Sequence, residues 1–479
     1  MKKNQLTLIL SIALLIVSVL FGLSHLYVHQ DTLPQRVKIS GWAVGGMKTD
    51  VVLKELELKF QQLGQTPLHI SVENQKLSNR EWTLTEAGVR YEADTFRLVI
   101  SKLKEGTLFE RVSYRWHFER SFAITPHWNP TPMKLKFNKA WEKGLFGVPI
   151  NATRRITADD QIVYTPEVSA LRLDWESLTN RMVSLIPQDF KRLEHSSNLP
   201  LKIQLPVIMA NPEISLIDLK AEGIERKIME FSTSLDSSSE GRLFNVNSAA
   251  QATDGLLLKP GDVFDYGKII ALAEDKYGFR EAPVILNGKL VPGIGGGICQ
   301  VSSTIYSAAI RTGMDIMERR NHSLPVRYLP KGQDATFATG SINFRFKNNT
   351  GKHLLIHVSV QGRILTVKFF GTFPKDVTYD IESITVETLT PSNKYVHNST
   401  LPVGGQEVIQ NGKSGYIIDT YRIKKVDGVV KERKRISHDT YLPQKTLIGI
   451  HPDNQMDQDA PLVPKEKSII EDGVSGPNF

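Results

Sequence analysis

The sequence predicts an α+β multidomain protein behind one N-terminal transmembrane helix, and three observations carry that expectation. A long apolar run starts at Leu6. Helical-period and strand-period segments then alternate, separated by glycine- and serine-rich punctuation. The composition, 41% hydrophobic and 23% charged over 479 residues, is that of an ordinary globular chain and excludes a wholly disordered or collagen-like one. At ~150 residues per domain the length corresponds to roughly three domains.

The apolar run extends from Leu6 to Leu23, with Tyr27 and Val28 prolonging it. About 20 apolar residues are needed to cross a bilayer, whereas a cleavable signal needs an apolar core of only ~7–15 followed by a small-x-small site. Gly22-Leu23-Ser24 is a poor site of that kind, so residues 1–30 are expected to be a cytoplasmic stub and a retained anchor. Lys2 and Lys3 stay inside, which puts the bulk of the chain outside the cytoplasm, in a single-pass arrangement. The net charge of +8 suits an anionic surface and is too weak to argue for nucleic acid, which is not an expected partner. Cys299 is the only cysteine, so neither a disulfide framework nor a multi-cysteine metal site is available. Glu318, His353 and His357 lack a zinc-ligand spacing, and no metal or other cofactor is expected.

A short polar connector, residues 31–40, follows the anchor. Between Thr49 and Leu63, the positions Val52, Leu53, Leu56, Phe60 and Leu63 share one helical face, with Thr49 as N-cap and Gly64 as stop. Two passages further on share a plan of strand, glutamate-containing turn, then arginine and aspartate ahead of a helix: Arg90 and Asp94 in one, Arg172 and Asp174 in the other. They suggest two small α+β modules within residues 37–228; chance similarity between two strand–helix units is the alternative. The serine-rich stretch 231–242 reads as a boundary. A central α+β domain spans 229–372 and ends in the antiparallel run "INFRF", "HLLIHVSV", "RILTVKFFG". Residues 390–451 form a small all-β module, with "RIKKVDGVVKERKR" as a hairpin turning at Asp427-Gly428. The remainder, 452–479, is polar and proline-containing and is expected to be disordered.

The chemistry concentrates around the lone thiol. Gly295, Gly296 and Gly297 allow unusual backbone conformations and close approach to a ligand. Val301, Ile305, Ala308 and Ala309 then recur at helical spacing, so Cys299 falls in the first turn of a buried helix. Unpaired N–H groups and the positive dipole end favour an anion there, whether thiolate or oxyanion. A nucleophilic thiolate needs a base and an orienting group, and His322 on an extended segment and Asp334 after a turn supply both. Gln300, Ser302 and Ser303 are candidate hydrogen-bond donors to a ligand, and Arg319 and Arg320 candidates for holding a carboxylate or phosphate. The bland reading stands beside this one: a lone buried cysteine packs as a small hydrophobe, and three glycines can be no more than a tight turn.

The segments "FSTSL", "RLFNVNSAAQATDGLLLKPGDVFDY", "GFREAPVILNGKLVPGIGGGICQVSSTIYSAAI", "ERRNHSLPVRYLPKGQDATF" and "INFRFKNNT" together resemble the VanW family across residues 229–372. Residues 37–228, entered by "GWAVGGMKTD", are similar to peptidoglycan-binding modules that precede this domain. Residues 390–451 are similar to a glycine-patterned extracellular module that binds wall or surface sugars. The resemblance implies a membrane-anchored cell-wall protein whose partner is peptidoglycan or another anionic wall polymer. It settles no reaction. Two functions therefore stay open: a Cys-His-Asp amide hydrolase or acyl transferase acting on wall peptides, or a non-catalytic wall-binding or scaffolding protein.

Overall fold

A computed structural model describes residues 2–72, 81–194, 199–286, 289–452 and 469–475. The chain divides into two compact units, one formed by residues 1–150 and 168–213 and the other by 151–167 and 214–479.

The first unit opens with the helix Lys2–Val28. Its segment Gln5–Val28 is the one described helix long and apolar enough to cross a membrane, and its leucines and isoleucines are exposed. Water would penalise that surface; hydrocarbon would not. The helix Thr49–Gly64 buries Val52, Leu56, Phe60 and Leu63, as their spacing predicts. Lys48, not Thr49, takes the N-cap position, and no side chain caps it. The two similar passages fold alike: Val89–Arg90 leads to the helix Asp94–Ser101, and Ala170–Leu173 to Trp175–Leu185. Asp174 caps the latter, its carboxylate accepting from the N–H groups of Glu176 and Ser177. Two apolar clusters fill this unit, one around Leu56 and Phe96, the other around Leu68, Leu178 and Ile203.

The second unit begins earlier than the sequence suggests. The hairpin Thr153–Ile156 and Ile162–Thr165 belongs to it, as do residues 214–228. Charge is the reason: Asp160 at the hairpin turn meets Lys227 at 2.6 Å and Lys368 at 2.7 Å, and Arg154 meets Glu222 at 2.5 Å. Neither pairing is visible from local pattern.

At the centre lies an antiparallel sheet in the order Arg226–Ser234, Ile364–Gly371, Leu354–Gln361, Leu256–Leu258. The helices Glu240–Thr253 and Tyr266–Tyr277 pack with the helix Ile298–Arg311, in which every residue from Ile298 to Ile310 is buried. Ile298, Val301, Ile305, Ala308 and Ala309 join Val246, Phe344, Phe346, Val367 and Phe369 in one continuous core. A helix enclosed on all sides must present small or apolar residues everywhere, which the run "ICQVSSTIYSAAI" does.

The β module starts at Val377, before the expected residue 390: Val377–Leu389 pairs with Gly415–Val426, which pairs with Val429–Tyr441. The last two strands turn at Asp427 and Gly428, both with positive φ, as expected of Asp-Gly. The carboxyl-terminal stretch departs from expectation more sharply. Ile470–Glu471 adds to Glu281–Leu286 as a third, antiparallel strand, and Gly473 and Ser475 bridge to Ala338 and Ile294. Local composition hides this order because the partners lie over 130 residues away in sequence. The rest of the tail expected to be disordered, 453–468 and 476–479, lies outside the described residues.

A Cβ on Gly296 would collide with the carbonyl oxygens of Pro283 and Ala282, whereas one on Gly144 would meet nothing. Gly296→Ala is therefore expected to destabilise the second unit by about 1–3 kcal/mol, an overpacking cost. Gly144→Ala is expected to be neutral or to stabilise its helix by up to ~1 kcal/mol. Thermal unfolding followed by circular dichroism checks the contrast.

Candidate functional site

The site is built at the start of the buried helix. Gly295 and Gly297 have φ of 88° and 109°, which L side chains avoid, and the turn they make delivers the chain into Ile298. Asn245 pins the turn, its amide donating to the carbonyls of Gly296 and Arg280. Cys299 follows, fully buried. Its sulfur accepts from the Phe337 N–H at 3.0 Å and donates to the Phe337 carbonyl at 3.3 Å.

The helix-start amides are already in use. Asp472, just past the carboxyl-terminal strand Ile470–Glu471, accepts through Oδ1 from Cys299 N–H at 2.8 Å and from Gly297 N–H at 3.2 Å. Its Oδ2 pairs with Arg242 at 3.0 Å, and Arg242 also donates to Gln300 Oε1. An anion does sit where the dipole favours one, and it is a carboxylate, not the thiolate. Burial pushes the Cys299 thiol well above its ordinary pKa, and the neighbouring Asp472 charge pushes it further. The expectation of a thiol ionised by the helix dipole is thus reversed in this arrangement, because Asp472 has taken the dipole's favourable end.

His322 lies after the strand Asp315–Glu318, on an irregular segment and not in a strand. It and Asp334 come together, as their order in the chain suggests. The His322 Nδ1 is 2.6 Å from Asp334 Oδ2; the carboxylate can only accept, so Nδ1 carries the proton. The backbone N–H of His322 donates to the same oxygen at 2.8 Å. Asp334 Oδ1 takes the Tyr441 hydroxyl at 2.5 Å, and Arg319 also pairs with it. Burial alone would raise Asp334, but the His322 bond and charge, then Arg319, bring it down to about 2. Burial would lower His322, yet Asp334, with Asp472 and Glu471 adding, carries it above its ordinary value. The imidazole is fully buried, and its Nε2 has no hydrogen-bond partner among the described residues.

Cys299 and His322 flank one dipeptide. Asp472 is held by Cys299 N–H; Glu471 is held through Oε2 by the N–H and hydroxyl of Ser323, the residue after His322. Cys299 and the residue after His322 thus hold two consecutive residues of the tail. No hydrogen bond joins them in this arrangement.

The remaining expected ligand contacts turn inward. Gln300 Nε2 donates to the Ser234 carbonyl and the Thr233 hydroxyl. The Ser302 and Ser303 hydroxyls donate to the Ala335 carbonyl, and Ser303 accepts from Ala335 N–H. Ser302 and Ser303 brace the helix against Ala335, and Gln300 braces it against the strand end at 233–234, because a buried hydroxyl or amide needs a local partner. Arg319 does hold carboxylates, both the protein's own: Asp334 and Asp439. Arg242, Tyr441, Glu471 and Asp472 were not legible from the sequence. No spacing signal links residues separated by 107 to 230 positions, as Tyr441 is from Asp334 and Arg242 from Asp472. No group of three or more histidine, cysteine, aspartate or glutamate side chains that could hold a metal occurs among the described residues.

Asp334 gives the fold a defined pH response. Its folded pKa of about 2 lies below the ordinary ~4, so its contribution is complete above pH ~4 and is lost as pH falls through about 2. The His322 contribution has the opposite sense, present at low pH and lost as pH rises through its elevated value. Asp334→Asn is expected to flatten the acid limb of the stability profile between pH ~4 and ~2 and to lower the His322 pKa, read by imidazole NMR titration. Tyr441→Phe, which also takes an acceptor from Gly332 N–H, is expected to cost about 1.5–3 kcal/mol in chemical denaturation.

The family model "VanW like protein" matches residues 241–370, and "G5 domain" matches residues 381–448. YoaR of Bacillus subtilis (strain 168) is 30% identical over 218 residues, covering 44% of this chain and 72% of that protein. The vancomycin B-type resistance protein VanW of Enterococcus faecalis (strain ATCC 700802 / V583) is 27% identical over 158 residues, covering 32% of this chain and 58% of that one. The solved IgA1 protease G5 domain shares 23% identity over 16% of this chain and 92% of its own, at a TM-score of 0.14. With the central domain matched and 72% of YoaR spanned, the chain belongs to the VanW-like family and carries a G5 domain after it.

Proposed function

We propose that this chain is a membrane-anchored protein of the bacterial cell wall whose central domain is a latent cysteine acyl-transfer enzyme acting on wall peptides. The observation that carries the reading is the buried His322–Asp334 pair with an unpartnered Nε2. Leaving a buried imidazole nitrogen unsatisfied costs stability, and a base awaiting a proton accounts for it. The anchor is Gln5–Val28, and the G5 module and the two α+β modules within 37–228 supply contacts to peptidoglycan or another anionic polymer.

The chemistry runs as follows. Once the dipeptide Glu471-Asp472 leaves, His322 Nε2 takes the Cys299 thiol proton, and the thiolate attacks a peptide carbonyl carbon. The Gly297 and Cys299 N–H groups, now free, hold the oxyanion. Collapse breaks the C–N bond, the imidazolium returns its proton to the departing amine, and a thioester remains on Cys299. Water or an acceptor amine then attacks the thioester, giving hydrolysis or transfer and regenerating the thiol. Asp334 keeps Nδ1 protonated throughout, and Tyr441 and Arg319 keep Asp334 ionised and aligned.

A second reading has its own observation. Cys299 is enclosed, protonated and bonded to Phe337, which suits a domain that binds wall peptides without reacting. The test is incubation of the detergent-solubilised full chain with soluble stem peptides from digested peptidoglycan, followed by mass spectrometry. The enzyme reading expects new free-acid or amine-transferred products, abolished in Cys299→Ala and reduced about 10²–10⁴-fold in His322→Ala. Product formation unaffected by Cys299→Ala overturns it, and peptide binding without turnover supports the alternative.

A further inference from the structure

We infer that the edge of Glu281–Leu286, together with the helix start at Cys299, is a strand-addition site for extended peptides carrying a carboxylate, and that residues 469–475 occupy it as the chain's own substitute ligand. The inference rests on the acyl-transfer reading for what would be bound, but its geometry stands independently.

The segment binds as a peptide ligand binds. It adds to the edge of Glu281–Leu286 in register Ile285↔Glu471 and Leu286↔Ile470, antiparallel, as in β-augmentation. Its backbone continues along the site: Val474 N–H donates to the Ile294 carbonyl at 2.9 Å, and Ile294 N–H donates to the Ser475 carbonyl at 2.8 Å. Gly473 fits closely, since a Cβ there would collide with Val284. The side chains supply the specificity. Asp472 enters a carboxylate cradle of two helix-start N–H groups and the Arg242 guanidinium, and Glu471 takes the N–H and hydroxyl of Ser323.

The fit is incomplete in one respect. His322 Nε2 stays buried and unpartnered beside the tail, although every carboxylate oxygen at the cradle is engaged. A ligand placing a polar atom against that nitrogen would satisfy it, and the tail does not. The tail is therefore a displaceable occupant. The segment belongs to the same chain as the site it occupies, so its rebinding is intramolecular and competes with any added ligand. A wall peptide presented many times on a polymer can meet that competition; a dilute soluble one meets it poorly.

Access to Cys299 reads occupancy without needing catalysis. The probe is a small maleimide, which reacts with this thiol alone because the chain has no other. Full-length protein in detergent is compared with the double variant Glu471→Ala/Asp472→Ala and with the milder Asp472→Asn, each first checked for an unchanged thermal transition of the second unit. Labelling is expected to accelerate at least tenfold in the double variant and by less in Asp472→Asn, which loses the charge and one acceptor oxygen but keeps the other oxygen for the helix-start N–H groups. The peptide Ile-Ile-Glu-Asp-Gly-Val-Ser added in trans is expected to restore protection to the double variant, and its Asp-to-Asn analogue to need at least tenfold more peptide, equivalent to about 1.4 kcal/mol. Unchanged labelling in both folded variants overturns the inference. If the double variant unfolds, the labelling rate of Asp472→Asn, with and without the added peptide, decides it alone. Accelerated labelling without any turnover of stem peptides would leave this inference standing and remove the acyl-transfer reading; turnover that ignores both variants would do the reverse.

Discussion

A helix start has more N–H groups than its own carbonyls can satisfy, and in this domain those groups lie inside the protein, where water cannot serve them. The glycine turn at 295–297 brings Gly297 and Cys299 N–H into a shared cradle, and something anionic has to fill it. Asp472 does so from 173 residues away, accompanied by Arg242. Much else follows from that single carboxylate. It seats the carboxyl-terminal strand and adds a like charge to the burial that already keeps the thiol protonated.

A second carboxylate organises the opposite wall. Asp334 gathers the His322 ring and backbone, Arg319 and the Tyr441 hydroxyl, all within the buried interior. Tyr441 ends the strand Val429–Tyr441 of the β module, and Asp439 on the same strand pairs with Arg319. The G5 domain is thus physically part of the support for His322. A module that would otherwise be read only as a polymer-binding appendage also fixes the tautomer and position of the candidate base. Severing it would leave Asp334 buried with fewer partners, a more costly state than losing an exposed ion pair.

How much of this could be read from the residues depended on distance along the chain. The transmembrane-length helix, the apolar face of Thr49–Gly64, the buried helix after the glycine run and the Asp427-Gly428 hairpin are all local-period features, and all are present. His322 and Asp334 were legible as a pair because only twelve positions along the chain separate them. Asp472 was not, because an acidic dipeptide in a polar tail carries the same composition whether it is solvated or holds a helix start. Tyr441, one tyrosine on an alternating strand, gave no sign that its hydroxyl reaches Asp334. Gln300, Ser302 and Ser303 misled for the converse reason: polar residues beside a cysteine look available to a ligand, but a helix buried on every side turns them to its own neighbours.

The account stands on the coupling between the Asp472 carboxylate and the Cys299 thiol, and thiolate absorbance in the ultraviolet measures it directly in a chain with one cysteine. Titrated in the intact protein, the thiol should ionise above the ordinary ~8.5. With Asp472 and Glu471 replaced by alanine, the same titration should move down, because the like charge beside the sulfur is gone and only burial still raises it. A thiol that titrates identically in both proteins would contradict the account.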